Sequence, residues 1–193
     1  MKKTLLLFII LFSSLNFAVA GEGEFRIGAE LGWSPVDLEA EKTAQELANL
    51  SGSTVTVEYD YGAFVGRLFG DYGLTSNLAV EVGYFQTSSA DAKYTISGAS
   101  ATESYDAHGF DVSAVIKDES GFYGKIGMHS ATMDGAASLT IGGTTYAVTA
   151  SQEASGPLIG AGFEENNIRY SFVHYSDLAD VTDFSFFSVG VIF

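Results

Sequence analysis

The sequence predicts an all-β fold, an eight-stranded antiparallel transmembrane β-barrel with up-and-down meander order. Three observations carry this. Apolar and polar residues alternate with period two along nearly the whole chain, the spacing of a strand with one face in an apolar medium. The segments between these stretches alternate between long and short. The composition is strand-like: 10 Tyr, 15 Phe and 22 Gly stand against 2 Pro, and aromatic and β-branched side chains fit a pleated surface that proline interrupts.

The first twenty residues are set apart. Lys2 and Lys3 precede an apolar run over 5–12, and Ala18-Val19-Ala20 closes the segment. A charged start, a short apolar core and small residues at the cut site predict a removable signal peptide over 1–20. The run is too short to span a bilayer. The barrel domain is then expected over 21–193, a length that suits one domain. Beyond residue 20 no apolar stretch approaches the roughly 18 residues of a membrane-crossing helix. The chain has no Cys, so disulfides and thiolate chemistry are excluded. Without Lys2 and Lys3, seven of the nine basic residues remain against 24 acidic ones, a net charge of −17. Such a surface does not seek nucleic acid, whose phosphates need clustered cations.

Eight strands follow in order. Phe25, Ile27, Ala29, Leu31 and Trp33 share one face of the first. The second, over 59–69, is irregular: Gly62, Gly66 and Gly70 lie with Phe64 and Leu68, and Arg67 falls on the other, apolar face, where a long basic side chain near a membrane interface would snorkel. Leu78, Val80, Val82 and Tyr84 mark the third, and Phe110, Val112, Ala114 and Ile116 the fourth. Phe122, Ile126 and Met128 mark the fifth, Ile159, Ala161 and Phe163 the sixth. Ile168, Tyr170 and Phe172 mark the seventh, and Phe187, Val189, Val191 and Phe193 the eighth. An even count fits a bacterial outer-membrane barrel, as do short turns at 70–77, 118–121 and 165–167 between longer connections at 34–55, 88–104, 132–155 and 176–182. Both termini then lie on the short-turn, periplasmic side. Within the long connections, 37–50 has helix-forming composition with a stripe of Leu38, Ala44, Leu47 and Ala48. Residues 138–149 are expected to form a hairpin turning at Gly142-Gly143, which would extend two strands above the membrane.

The polar faces decide which side is outside. They carry Gly and Ser with one charge near the middle of most strands, whereas the exterior of a soluble barrel needs denser charge. Eight strands enclose only enough space for side chains. Arg26, Glu30, Glu81, Asp111, Lys125, Glu164 and Arg169 are therefore expected inside as three cations and four anions, since buried charges persist when paired. A lumen so filled should conduct poorly.

With these segments in place, the chain resembles the small outer-membrane β-barrel proteins related to the transmembrane domain of outer membrane protein A. The resemblance spans residues 21–193 and rests on GAFVGRLF at 62–69, LAVEVGYF at 78–85, FYGKIGMH at 122–129, GAGFEENNIRYSF at 160–172 and FSVGVIF at 187–193. It implies an outer-membrane location among lipid and lipopolysaccharide, and interior salt-bridge positions at Glu81, Lys125, Glu164 and Arg169. It also implies that Phe187, Val189, Val191 and Phe193 are read by the barrel assembly machinery during insertion.

One constellation points to chemistry. In FVHYSD, His174 and Ser176 lie two residues apart on the outward face of the seventh strand, and Asp183 faces outward on the eighth. Serine, histidine and carboxylate are the parts of an acyl-transfer triad, and the pattern resembles outer-membrane lipid A 3-O-deacylase. The principal reading is nevertheless non-enzymatic: acidic extracellular loops serving envelope integrity, surface interaction or adhesion through an extracellular ligand, with the Ser176/His174/Asp183 esterase as the alternative. No cofactor or metal is expected. The glycines punctuate strands rather than cradle phosphate, and His108, His129 and His174 lack zinc-ligand spacing.

Overall fold

The computed structural model describes residues 22–36, 38–178 and 182–193. The proposed signal peptide and its cleavage site lie outside the described residues, as does 179–181 in the last long connection.

The elements are β1 (Phe25–Pro35), α1 (Ala40–Ser51), β2 (Thr56–Tyr59), β3 (Gly62–Gly73), β4 (Leu78–Thr87), β5 (Ala90–Ile96), β6 (Ala99–Lys117), β7 (Phe122–Ile141), β8 (Thr144–Glu165), β9 (Ile168–Leu178) and β10 (Thr182–Ile192). Eight of the strands close a ring in which every pairing is antiparallel: β1-β3-β4-β6-β7-β8-β9-β10 and back to β1. The seam runs past the last residue, where Phe193 N donates to Ile27 O at 2.7 Å. A closed ring satisfies the backbone groups of its strands without water, which is what a sheet in lipid requires.

The alternation sorts side chains as expected. Leu31 (77% exposed), Phe64 (74%), Ile126 (64%) and Phe187 (60%) point out of the ring, while Arg26, Glu30, Glu81, Asp111, Lys125 and Arg169 are buried inside it. The apolar face is the outer one. Aromatic pairs on that face, Tyr84–Phe110, Phe122–Phe163 and Phe172–Phe187, have ring centroids 4.7–5.0 Å apart.

One rim of the ring is trimmed tightly. At 118–121 the Asp118 carboxylate accepts hydrogen bonds from Ser120 Oγ (2.7 Å), Ser120 N (3.0 Å) and Phe122 N (2.9 Å). Asn166 and Asn167 both have positive φ, 50° and 66°, the conformation that lets a two-residue turn match the strand twist. The turn expected at 70–77 is shorter, because β3 runs on to Gly73.

The opposite rim differs from expectation. Residues 88–104 and 132–155 are not loops. β6, β7 and β8 continue far past the ring as one unbroken ladder, from Phe122↔Phe163 to Ile141↔Thr144 and from Lys117↔Tyr123 to Ala99↔Ile141. β5 pairs with upper β6, and β2 with β5, giving a projecting sheet in the order β2-β5-β6-β7-β8. The expected hairpin is its tip, with Gly142 and Gly143 at φ 57° and 84°. The helix expected at 37–50 is α1. Its Ala40 and Ala44 bury against Ala92 and Tyr94, with Leu38 and Leu47 packed alongside.

Candidate functional site

The lumen has two tiers. Nearest the short-turn rim, cross-strand register sets opposite charges face to face, with Arg26 opposite Asp71 and Glu30 opposite Arg67 on β1 and β3, and Glu164 opposite Arg169 on β8 and β9. Arg26 grips Asp71 with two hydrogen bonds (2.9 and 2.5 Å) and reaches Glu164 at 3.3 Å. Lys117 Nζ lies 2.7 Å from Glu164 and 3.6 Å from Asp71. Arg169 bonds both Glu164 and Glu81, and its guanidinium lies 4.0 Å over the Phe69 ring. Deeper in, Arg67 joins Glu81 (2.7 Å), Asp111 (2.7 Å) and Glu30 (3.4 Å), while Lys125 meets Glu81 at 3.1 Å. Tyr175 Oη donates to Asp111 at 2.8 Å, and Ser171 Oγ to Glu30 at 2.7 Å. Room for these long side chains comes from glycine: a Cβ on Gly83 would lie 2.3 Å from Arg67 Nη2, and one on Gly190 2.6 Å from Glu30 Cγ.

Above the charges the lumen turns apolar. Phe85, Tyr175, Phe184 and Phe186 form a buried aromatic layer, with Phe85 4.9 Å and Phe186 5.9 Å from the Tyr175 ring, packed with Val65, Leu158 and Val173. The expectation of a lumen filled by ion pairs therefore holds for the lower tier only.

The seven interior charges inferred from sequence all lie in the network, and three more join them. Arg67 is the main correction. It does not snorkel outward but is fully buried at the centre of three carboxylates. On β3 the inward set is Ala63, Val65, Arg67, Phe69 and Asp71. It reads as apolar because its upper members belong to the aromatic tier. Asp71 falls inside because β3 outruns the expected turn, and Lys117 because it continues the inward face of Asp111, Ser113 and Val115 on β6. The signal that could have found them is phase: Arg67 and Asp71 lie four residues apart, on one face of a strand. With them the network holds five cations (Arg26, Arg67, Lys117, Lys125, Arg169) and five anions (Glu30, Asp71, Glu81, Asp111, Glu164). It is neutral, so the net charge of the described residues lies outside this network.

On the outer wall, His174 does not meet Ser176. Its Nδ1 lies 2.8 Å from Ser185 Oγ, its register partner on β10, and its Nε2 lies 3.7 Å from Asp183 Oδ2. Two residues along a strand are about 6.6 Å apart, whereas cross-strand partners have Cβ atoms about 5 Å apart, so the neighbouring strand supplies the nearer hydroxyl. Ser176 instead offers its backbone carbonyl inward, where His129 Nε2 donates to it at 2.7 Å.

The projecting sheet leaves one side open. β9 pairs with β8 only from Leu158 downward, with Ser176 and Asp177 still lying against Gly156, so among the described residues no strand pairs with the β8 edge over 144–155. Beside that edge Leu139, Ile141, Tyr146 and Val148 expose apolar side chains on one face of the sheet.

Residues 20–183 match the family model described as the OmpA-like transmembrane domain. The chain belongs to that family. Among solved structures it is similar to Ail, the attachment invasion locus protein of Yersinia pestis, at 14% identity, covering 89% of this chain and 99% of that one with a TM-score of 0.49. It is also similar to the N-terminal β-barrel domain of Pseudomonas aeruginosa OprF (13% identity, 89% and 100% covered, TM-score 0.45) and to OprG from the same organism (12%, 90% and 97%, TM-score 0.41). No curated protein sequence matches the chain. As an OmpA-like transmembrane domain it is an outer-membrane β-barrel, and its exposed apolar belt is the surface that lipid covers.

Proposed function

We propose that this OmpA-like barrel is a sealed, non-enzymatic anchor that holds an acidic sheet above the outer membrane for surface interaction. The short-turn rim and both termini face the periplasm, and the projecting sheet faces outward. The observation that carries the reading is the division of charge. Among residues 21–193, every arginine and every lysine except Lys42 and Lys93 lies in the neutral lumen network, so the outward side is almost purely acidic. Onto that side project an uncovered strand edge and four exposed apolar residues, and exposed apolar area of this kind marks interaction surfaces. An extended partner segment could pair along such an edge.

Lipopolysaccharide and phospholipid surround the belt. Phe187, Val189, Val191 and Phe193 form the assembly signal, their outward register matching a strand presented to the assembly machinery. The test is adherence to a protein-coated surface of cells producing the wild-type barrel or the Tyr146→Asp/Val148→Asp variant. Heat-dependent gel mobility verifies that both are folded. Reduced adherence of the variant supports the reading, and equal adherence removes it.

A second reading, hydrolysis of an ester of lipid A, rests on the contacts of His174 with Ser185 and Asp183. In it Ser185 takes the nucleophile role that the sequence assigned to Ser176. Loss of one acyl chain from lipid A in producing cells, abolished by Ser185→Ala but not by Ser176→Ala, would establish it. Unchanged lipid A in producing cells would remove it.

A further inference from the structure

Where β6 and β7 rise out of the ring, three donors of metal-ligand type converge on the outer face. Asp106 and Asp134 are direct register partners across the two strands, and His108 lies two residues from Asp106 on the same face. One nitrogen or oxygen from each lies within 4.8 Å of the others. His108 Nδ1 stands 3.6 Å from Asp134 Oδ2, too far for a hydrogen bond. The second Asp134 oxygen is occupied, because Ser151, its register partner on β8, donates to Oδ1. Oδ2 is therefore left aimed at the imidazole.

Two carboxylates directly opposed on neighbouring strands repel. Among the described residues neither Asp106 nor Asp134 has a lysine or arginine in ion-pair contact. The opposed pair recurs nowhere in the lumen network without an adjacent cation: Asp71 and Glu81, also register partners, share Arg169. The outer pair has an imidazole where the inner pair has a guanidinium, and an imidazole beside two carboxylate oxygens is a donor set for a transition ion.

We propose that His108, Asp106 and Asp134 bind one Zn²⁺ ion at the root of the projecting sheet, water completing its shell. Zinc holds such donors at about 2.0–2.2 Å, which places two ligands of one tetrahedral ion about 3.4 Å apart. The observed 3.6 Å between His108 and Asp134 closes on the ion with a shift of a few tenths of an ångström. The imidazole selects a transition ion over Mg²⁺ and Ca²⁺, which prefer an all-oxygen shell. The Ser151 hydrogen bond orients Asp134 as an outer-shell partner does. The ion neutralises the opposed carboxylates and clamps β6 to β7 where lipid no longer supports the ladder. It also gives the acidic outer side an open coordination position. The site stands apart from the adhesion reading, and its test uses no adherence measurement.

The barrel refolded in detergent is titrated with Zn²⁺ by calorimetry and with Co²⁺ by visible absorption. One equivalent is expected, with cobalt ligand-field bands that saturate at the same ratio. His108→Ala and Asp134→Asn should each weaken binding by about tenfold or more, while His174→Ala, which alters the other outer-wall histidine, should leave it unchanged. Excess Mg²⁺ should not displace the ion. Affinity should fall in acid, because protons compete with the ion for its donor atoms. Heat-dependent gel mobility shows that each variant is folded. Full-affinity binding by His108→Ala, dependence on His174 instead, or no saturable binding would each overturn the proposal.

Discussion

Arg67→Met removes the side chain on which the lower tier converges, and the structure shows which partner it strands. Glu81 keeps Lys125 at 3.1 Å and its bond to Arg169. Glu30 keeps the Ser171 hydroxyl at 2.7 Å, with Arg169 3.8 Å away. Asp111 keeps only the Tyr175 hydroxyl at 2.8 Å, so one buried carboxylate loses its cation. Breaking a buried pair from one side costs about 3–5 kcal/mol, because the remaining charge is uncompensated. Replacing Asp111 as well, as Arg67→Met/Asp111→Asn, removes the stranded charge, and the double variant should be more stable than Arg67→Met alone. Guanidinium unfolding in lipid vesicles reads both, followed by emission of Trp33, the single tryptophan, which points out of the ring. An Arg67→Met barrel within about 1 kcal/mol of wild type would refute the pairing. So would strictly additive effects, since residues of one network couple by about 0.5–3 kcal/mol.

The aromatic tier predicts a closed lumen: planar-bilayer conductance should be near zero for the wild type and rise for Phe85→Ala/Phe186→Ala, and an unchanged trace would show that the ion pairs alone seal it. At the hairpin tip Gly143 has φ 84°, where a side chain costs about 1–2 kcal/mol. Gly143→Val should therefore speed proteolytic nicking at 140–146 while leaving the heat-dependent mobility of the barrel intact. In the turn at 118–121, the hydrogen bond donated by Ser120, helped by backbone N–H groups, holds the Asp118 carboxyl below its ordinary value. A carboxyl depressed in the folded state stabilises fully above its unfolded pKa of about 3.9 and loses that contribution as pH falls through the lower folded value. The protection of the Phe122 amide, corrected for its intrinsic exchange rate, should therefore fall only in that acid range, and Asp118→Asn should abolish that fall.

Much of the architecture was legible because lipid and lumen impose opposite chemistry on alternate residues. Leu31, Ile126, Val189 and Phe187 could be placed outside, and Glu81, Lys125 and Arg169 inside, from parity alone. Parity failed on β3, where Phe69 and Val65 share the inward face with Arg67. An apolar residue reads the same whether it meets lipid or an aromatic layer within the lumen. The candidate triad failed for another reason. Sequence spacing joins residues on one strand, and Ser185 became the nearer hydroxyl to His174 only through the register of β9 on β10. Asp106, His108 and Asp134 were invisible for the same reason, being split between two strands and separated by 26 residues of chain.

The sequence by itself determined the barrel, its strand order, the face that meets lipid and most of the charged interior. These follow from local periodicity and from turn residues such as Asn166, Asn167, Gly142 and Gly143. The hairpin at 138–149 was legible as two strands above the membrane; only the tertiary structure decided that 88–104 is strand as well and that it joins the hairpin in one sheet rising above the ring, with one edge and part of one face uncovered. Outside the membrane no lipid enforces alternation, so the pairing of β5, β6, β7 and β8 rests on contacts between chain segments that period and composition do not reveal. The neutrality of the lumen was likewise decided by the fold, because it depends on which cations the register brings to which carboxylates.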